Sequence, residues 1–385
     1  MVLSIIVLLV VTGVVVFFGL KYWLNTISDK HDLQGSIEVE VSKFTRKGLS
    51  HALVVGVYKE GKHVFRGYGN TTADNPVVPD SLTSFQIGSV SKVFTSALLQ
   101  IMVDEGVVSM ESTLQELIGE QYTLSPEASQ VTLKQLATHT SGFPRVPASL
   151  LKKVEGIVGK SGMMENPYSY IELADVMNYL EESKGKRRPG RLDYSNYGMG
   201  LLGHVLEIVS GKDLQTLTHE KIFEPLSMQA TSIQLTETMQ ESLAQGYSAQ
   251  GESAPLWTFS ALGGAGAFNS NVSDMMKFII ANIEGKSSLS SSFEVMQEPS
   301  DVPGIGIGWM QPSRIDRFFG NISHVWHNGM VGGYTSYIAV DRHTQTGVVV
   351  LSSKSIDVSM LGMMLVRQAR TQSWSSPESS IKSLE

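Results

Sequence analysis

Strand patterns lie near both ends of this chain, and helical patterns fill the region between them. Residues 52–58 and 63–68 are rich in β-branched and aromatic residues around a short polar turn, which is typical of a β-hairpin. Two β-branched runs, 335–340 and 347–351, flank a second turn. We therefore predict an α+β fold, with an antiparallel sheet built from both chain ends, flanking helices and an inserted all-helical region. The active site is expected between the sheet and the helical region.

Helical periodicity is clearest in the segment 89–103, where Val90, Phe94, Leu98 and Met102 recur every four residues. This pattern predicts a helix that begins at Ser89. Weaker patterns predict the helices 132–139, 170–182, 198–209 and 274–283, one ending near residue 47, and a closing helix at 360–369.

The N-terminal segment is apolar, since residues 2–20 carry no charge. At about 1.5 Å per residue, a helix of this length nearly crosses the ~30 Å hydrocarbon layer. Lys21, Tyr22 and Trp23 follow, where a cleaved signal peptide would need small residues. We predict the following divisions: a transmembrane anchor at 1–24, a stalk at 25–36, a folded domain at 37–370 and a flexible tail at 371–385.

Composition excludes several kinds of function. The chain has no cysteine, which excludes disulfides, thiolate zinc sites and a cysteine nucleophile. A formal net charge of -7 gives no field for a phosphate backbone, so nucleic acid is not expected as a partner. The nine histidines form no His-x-x-x-His pair. No metal and no cofactor are therefore predicted, and His139 and His204 are read as packed helix residues.

The pattern Ser-x-x-Lys occurs four times, and an ordinary helix cap followed by a solvated lysine explains most single matches. The four pairs are Ser89/Lys92, Ser149/Lys152, Ser183/Lys186 and Ser379/Lys382. On a helix this spacing puts both side chains on one face, where the amine contacts the hydroxyl. Only Ser89 opens an apolar helix, and N–H groups at a helix start favour a developing oxyanion. We therefore predict Ser89 as nucleophile and Lys92 as its partner.

Two further elements follow in the chain. Tyr-x-Asn occurs at Tyr68 in a predicted turn and at Tyr194, which precedes a glycine-rich apolar helix. The second copy would project a phenol and an amide into a cleft. His327-Asn328-Gly329 then precedes the strand from residue 335, where a glycine lets substrate lie along a strand edge and an unpaired N–H can complete an oxyanion hole.

In this order the three elements resemble those of the penicillin-recognising serine hydrolases, which include class C beta-lactamases, serine DD-peptidases and related esterases. Stretches typical of the group also occur at 138–144, 194–198 and 263–266. The resemblance covers about residues 41–365 and implies a beta-lactamase-like domain without cofactors. It implies acyl transfer in two steps, through an acyl-enzyme, on an amide or ester such as a D-amino-acid peptide.

The resemblance also implies roles for the predicted catalytic residues. Ser89 attacks a carbonyl, and either Tyr194 or Lys92 removes its proton; the sequence leaves this choice open. His327 orients Tyr194 or the leaving group.

Four residues are predicted to bind substrate. Backbone N–H groups of Ser89 and Met330 hold the oxyanion, while Asn328 and Gly329 belong to the strand edge along which substrate lies. Asn196 binds an acyl-side amide or helps to position Lys92.

One departure from the beta-lactamase pattern narrows the expected activity. Those enzymes usually carry Lys-Thr-Gly at the third element, whereas this chain has His327 and Asn328. A histidine is mostly neutral at pH 7, so a fixed charge for a substrate carboxylate is missing there. This disfavours strong beta-lactamase activity and favours DD-carboxypeptidase or esterase chemistry. The alternatives are a lipid-ester esterase with the same site and a non-catalytic penicillin-binding sensor.

Substrate and location are the least constrained properties. The loop-rich segment 143–170 carries no recognisable motif and is expected to hold the specificity for a small-molecule or peptide substrate. The membrane is the other expected partner, through the N-terminal helix. Because relatives act on extracytoplasmic substrates, a periplasmic or extracellular domain is expected, although Lys21 and Lys30 lean weakly toward the opposite orientation.

Overall fold

The computed structural model describes residues 32–45, 49, 51–74, 76–163, 165–183, 189–312 and 322–374. The predicted anchor and most of the predicted tail lie outside these residues. Helix α1, Leu33–Phe44, is capped by the Asp32 carboxylate and begins inside the segment predicted as a stalk. Within the ranges given above, no helix is both long enough and apolar enough to cross a membrane.

A five-stranded antiparallel sheet joins the two ends of the chain, which confirms the predicted fold class. Its strand order is β2-β1-β7-β6-β5. The strands are β1 (Leu53–Lys59), β2 (Lys62–Tyr68), β5 (Val325–Val331), β6 (Tyr334–Asp341) and β7 (Thr346–Ser352); β3 (Phe85–Gln86) and β4 (Asn269–Ser270) pair separately.

Strand β5 is an addition to the expected topology. The sequence predicts a strand only from residue 335, because 327–333 is rich in glycine and polar residues with low β propensity. Pairing of His327 with Ile338 and of Gly329 with Ser336 on the neighbouring strand extends the sheet by one edge strand. His327, Asn328 and Gly329 therefore lie within a strand, at the edge of the sheet.

Helices cover both faces of the sheet and form the inserted region. The remaining helices are α2 (Ser91–Asp104), α3 (Leu114–Ile118), α4 (Pro126–Ser129), α5 (Leu133–Ala137), α6 (Ala148–Gly162), α7 (Leu173–Glu182), α8 (Asn196–Ser210), α9 (Leu214–Thr218), α10 (Glu237–Glu241), α11 (Val272–Glu284), α12 (Ser290–Gln297) and α13 (Ser359–Thr371), with 3₁₀ turns at Gly88–Val90, Pro167–Tyr170 and Gly263–Ala265 and a π turn at His219–Phe223.

Two apolar clusters hold these layers together. On one face of the sheet, Ile37 of α1 and Leu365 of α13 pack with Val350 of β7. On the other face, α11 packs on β1 and β7, and the main core continues from there into the helical region. Strands β6 and β7 are buried along their whole length, which matches their runs of valine.

Helix α2 links the sheet to the helical region. The turn Gly88–Val90 contacts β5 and β6, while α2 behind it contacts α8 and α12. The predicted helix at 89–103 thus begins as a 3₁₀ turn, and regular α-helix starts only at Ser91. Ser89 lies in that turn, at the junction of the two layers where the active site was expected.

Candidate active site

Ser89 and Lys92 are in hydrogen-bonding contact. Lys92 Nζ lies 3.0 Å from Ser89 Oγ and 2.5 Å from the carbonyl oxygen of Ala265. The lysine side chain is fully buried. Ala265 belongs to the glycine-rich turn at 263–266, and an added Cβ at Gly264 would come within 2.8 Å of the Met199 carbonyl. That close packing fixes the carbonyl that receives the lysine amine.

Burial decides the protonation of Lys92. The pKa of Lys92 is lowered well below its usual value, first because burial disfavours the charged amine and second because of the positive charge on Arg145. In its neutral form the amine keeps a lone pair, so Nζ can donate to the Ala265 carbonyl and accept the proton of the Ser89 hydroxyl. The lowered pKa therefore favours the form of Lys92 that can act as a base toward the candidate nucleophile.

Tyr194 reaches the same serine from the helical region. It precedes Ser195, whose Oγ accepts from the Gly198 N–H at 2.8 Å and donates to the Pro144 carbonyl at 2.8 Å. This N-cap fixes the start of α8 and with it the tyrosine. Burial raises the pKa of Tyr194 to about 12, while a hydrogen bond with the Ser89 side chain and the charge of Arg145 act in the opposite direction.

His139 supports the Tyr194 loop, which the sequence did not predict. The sequence predicts His139 as a helix residue, but it lies after the end of α5, and its φ of 55° is not helical. Its Nδ1 accepts from the Ser195 N–H at 3.2 Å, and its carbonyl accepts from Asp193 at 2.8 Å. The His139 ring centroid lies 4.4 Å from that of Tyr194. Burial lowers the pKa of His139 well below its usual value, which keeps Nδ1 available as an acceptor.

The outer edge of β5 faces the nucleophile. Trp326 forms both of its backbone hydrogen bonds across that edge with Met310, at 2.8 and 3.1 Å. Because antiparallel strands alternate their hydrogen-bonding direction, Asn328 and Met330 direct their N–H groups to the same edge. The N–H of Met330 is thus on the side of the strand that faces Ser89.

Two glycines let the backbones of the nucleophile turn and β5 touch. A Cβ at Gly88, where φ is 51°, would lie 2.9 Å from the Met330 nitrogen. A Cβ at Gly329 would lie 2.2 Å from the Ile87 carbonyl and 2.9 Å from the Ser89 nitrogen. Real Cβ atoms do not approach backbone so closely, so both positions require glycine. The N–H groups of Ser89 and Met330 consequently lie on adjoining segments, as an oxyanion hole requires.

His327 is neutral and has a defined tautomer. Its Nδ1 lies 2.7 Å from the Asn328 carbonyl, which only accepts, so Nδ1 carries the proton. Burial is the main cause that lowers the pKa of His327 to about 3. Its Nε2 is buried and has no hydrogen-bond partner among the described residues. The ring centroid lies 6.2 Å from that of Tyr194, so His327 presents an acceptor nitrogen beside the tyrosine.

Asn196 hydrogen-bonds to Tyr168. Its Nδ2 donates to the Tyr168 hydroxyl at 2.6 Å, and within the described ranges its buried Oδ1 has no partner. Tyr168 stacks on Phe259 with centroids 4.8 Å apart. The two roles predicted for Asn196, binding an acyl-side amide and positioning Lys92, stay predictions.

A cleft of about 260 Å³ opens onto the nucleophile and includes a residue that sequence reasoning missed. Its lining includes Ser89, Tyr194 and Arg145. Arg145 and Tyr168 both lie in the segment 143–170 that was expected to hold specificity, but neither forms part of a motif. A larger cavity of about 390 Å³ is lined by other residues, His204 and Glu207 among them, and none of the predicted catalytic side chains lines it.

Comparisons with known proteins concern the family and the fold of this chain. The profile of the beta-lactamase family matches residues 41–365. The chain is 26% identical over 324 residues to the unguisins hydrolase ungD' of Aspergillus campestris (strain IBT 28561), covering 78% of this chain and 58% of that protein. It is 25% identical over 314 residues to the D-alanyl-D-alanine-carboxypeptidase/endopeptidase AmpH of Escherichia coli (strain K12), covering 76% and 77%. This chain thus spans little more than half of the fungal protein.

A solved structure has the same fold. The beta-lactamase/D-alanine carboxypeptidase from Pseudomonas syringae superimposes with a TM-score of 0.74 over 87% of this chain and 98% of that one. The two sequences are 22% identical, so this likeness concerns the fold alone.

Proposed function

The chain belongs to the beta-lactamase family, and we propose that it is a serine hydrolase that transfers the acyl group of an amide or ester first to Ser89 and then to water. The observation that carries this proposal is the contact between the buried Lys92 amine and the Ser89 hydroxyl, 3.0 Å apart. A serine hydroxyl is a weak nucleophile until a neighbouring base removes its proton.

Lys92 is the base in this proposal. Its pKa is lowered by burial and by Arg145, whereas burial raises the pKa of Tyr194 to about 12. The lowered pKa favours a neutral lysine with a free lone pair, whereas the tyrosine keeps its proton at neutral pH. Tyr194 then acts as the acid that protonates the leaving group, and the Nε2 lone pair of His327 is available to orient its hydroxyl.

The N–H groups of Ser89 and Met330 stabilise the oxyanion of each tetrahedral intermediate. Loss of one such donor typically costs about 10²- to 10³-fold in rate. The close backbone approach that Gly88 and Gly329 permit therefore contributes to the rate, because it keeps both donors in place. Before deacylation the Lys92 ammonium returns its proton to the Tyr194 phenolate, which restores both groups. Lys92 then takes a proton from the attacking water and passes it to Ser89 Oγ as the acyl group leaves.

Asn196 is proposed to bind an acyl-side amide. In the reverse orientation of its side-chain amide, Tyr168 donates to Oδ1 and Nδ2 is released toward an acyl carbonyl. The 2.6 Å contact between the two side chains supports either orientation.

Peptidase or esterase activity is favoured over beta-lactam hydrolysis. His327 carries no charge where beta-lactamases usually have a lysine, because its pKa lies near 3. The relatives named above include a carboxypeptidase/endopeptidase and an unguisins hydrolase. A plain esterase with the same site is the second candidate, supported by the apolar lining that Met310, Trp326 and Met330 give the cleft.

Hydrolysis assays with three substrates test the proposal. The full chain and Ser89→Ala are compared on an acyl-D-alanyl-D-alanine peptide, a chromogenic acyl ester and a chromogenic cephalosporin. We expect turnover of the peptide or the ester, little of the cephalosporin, and none in Ser89→Ala. Equal turnover by both proteins would refute the role of Ser89. A stable acyl adduct without turnover would support the penicillin-binding sensor instead.

Membrane anchoring is proposed from the apolar segment 2–20, and an extracytoplasmic catalytic domain is proposed from the extracytoplasmic substrates of the family. Protease treatment of intact cells is expected to digest the catalytic domain. Full protection, with digestion after lysis, would reverse the proposed orientation.

A further inference from the structure

Arg145 is the charged group of the active-site cleft. Of the residues that line this cleft and that the structure describes, His327 is neutral because its pKa is near 3, and Tyr194 keeps its proton because its pKa is near 12. The other lining residues have no charge in their side chains. An arginine stays charged at every physiological pH. A substrate in the cleft therefore meets one full positive charge.

No residue that the structure describes neutralises the Arg145 guanidinium. Three other arginines form ion pairs: Arg66 with Glu38, Arg342 with Glu294 and Arg370 with Asp341. By contrast, no carboxylate of the described chain segments lies within ion-pair distance of Arg145, and the side chain is exposed to the cleft. Its donors are free for a ligand.

Arg145 is also held in place. Its carbonyl accepts from the Tyr197 N–H at 3.0 Å, and the preceding Pro144 carbonyl accepts from Ser195. The guanidinium carbon lies 5.3 Å from the centroid of the Tyr194 ring, within the range of a cation–π contact. Backbone and side chain are therefore both tied to the start of α8, so the charge has a fixed position relative to the site.

The lining of the cleft also includes apolar residues. They are Met310, Trp326 and Met330, and Met330 is 52% exposed. A substrate that fits this lining has an apolar part and an anionic group.

We propose that Arg145 binds a carboxylate of the substrate and selects anionic amides or esters for acyl transfer to Ser89. This inference rests on the proposed function. The planar guanidinium suits a carboxylate because two parallel N–H donors match its two oxygens. Beta-lactamases usually have a charged lysine where this chain has His327. In this proposal Arg145 supplies the missing positive charge from the loop after residues 138–144.

Matched substrate pairs test this proposal on the full chain. One pair consists of the mono-p-nitrophenyl ester of suberic acid and its terminal carboxamide, which differ only in the acyl-side charge. The other pair is an acyl-D-alanyl-D-alanine peptide and its C-terminal amide, which differ only on the leaving-group side. The measured quantity is the ratio of kcat/KM for the anionic and the neutral member of each pair, in wild type, Arg145→Gln and Arg145→Lys.

We expect the ratio in Arg145→Gln to fall by about 10- to 100-fold in one of the two pairs, which also identifies the side that carries the carboxylate. Arg145→Lys should recover part of that loss, since the charge remains but the paired donors do not. Arg191→Gln is the matched control, because Arg191 is an exposed cation that does not line the cleft. It should leave both ratios unchanged.

The possible failures are distinguishable. If Ser89-dependent turnover occurs and Arg145→Gln changes neither ratio, Arg145 does not recognise a carboxylate and only this inference fails. If the kcat/KM ratio falls equally in Arg191→Gln, the preference for anionic substrates comes from general attraction by surface charge. That result would also overturn the proposal for Arg145. If wild type hydrolyses no member of either pair, the proposed function fails together with the inference.

Discussion

Lys92 Nζ and Ser89 Oγ lie 3.0 Å apart, and the lysine that supplies this contact is completely buried. A charged amine in such a position would carry a large desolvation cost, and no carboxylate of the described residues hydrogen-bonds to it. Burial therefore favours the neutral amine, the form in which Lys92 can act as a general base toward Ser89.

Replacing Lys92 with methionine should remove the base without unfolding the protein. The methionine is nearly isosteric and apolar, so a buried polar group disappears and no charge is stranded. We expect kcat/KM to fall by about 10²- to 10⁴-fold, the usual contribution of general base catalysis. Thermal unfolding should be unchanged or shifted upward. Lys212→Met, at an exposed lysine, serves as control; a Lys92→Met enzyme with near wild-type kcat/KM would exclude the lysine as base.

The pH dependence of kcat/KM should depend on Arg145. Only neutral Lys92 is active as a base, so kcat/KM should rise with pH through the pKa of Lys92. Because the charge on Arg145 lowers that pKa, Arg145→Gln should move the rising limb to higher pH. Arg145→Lys, which keeps the charge, should move it less. A shift to lower pH in Arg145→Gln would contradict the electrostatic coupling.

Tyr168→Phe should weaken binding of amide substrates. The change removes one hydroxyl, the hydrogen-bond partner of Asn196, and preserves the stack on Phe259. We expect about a threefold to tenfold loss of kcat/KM for an acyl-amino-acid substrate and a smaller loss for a simple ester. Tyr122→Phe, away from the cleft, should affect neither. Equal losses on both substrates would show that Tyr168 acts on the fold and not on amide recognition.

His51→Leu should reduce the acid sensitivity of folding. Both ring nitrogens of His51 are buried without a partner among the described residues, and burial, with a smaller effect of Lys354, lowers its pKa to about 4. Between pH 6.5, the pKa of histidine in the unfolded chain, and about pH 4, His51 binds a proton in the unfolded chain but stays neutral in the folded protein. Stability is therefore lost as the pH falls from about 6.5 toward 4, by up to about 1.4 kcal/mol per pH unit for this group.

Urea unfolding at pH 8 and pH 5 measures the effect. His51→Leu should lose less stability between the two pH values than wild type does, and His63→Leu, at an exposed histidine, should behave like wild type. A steeper loss in His51→Leu would mean that protonated His51 stabilises the folded state.

Much of the architecture was predictable because its signals are local. β-Branched runs at 335–340 and 347–351 identified two central strands, and the closing helix appeared within two residues of its bounds. Strand β5 was missed because its stability comes from pairing with β6 and not from its own residues. His139 was misassigned for a related reason: its left-handed backbone is imposed by contacts with the Tyr194 loop.

The motifs also identified side chains that the fold brings together, although their roles remain predictions. Ser89, Tyr194 and His327 line one cleft, and the buried Lys92 contacts Ser89. Arg145 could not be singled out, because a single arginine after a proline has no pattern. The proposed role of Arg145 rests on two features of the described structure: the residue lines the cleft, and no carboxylate lies within ion-pair distance of it.

The most direct test of the central claim is to trap the acyl-enzyme and locate it. The full chain is incubated with an activated acyl ester and then rapidly quenched with acid to stop deacylation, and the intact mass and the mass of each proteolytic peptide are measured. We predict a mass increase of one acyl group, confined to the peptide that contains Ser89 and absent in Ser89→Ala. A label that persists in Ser89→Ala, or that maps to another residue, would contradict the assignment of Ser89 as nucleophile.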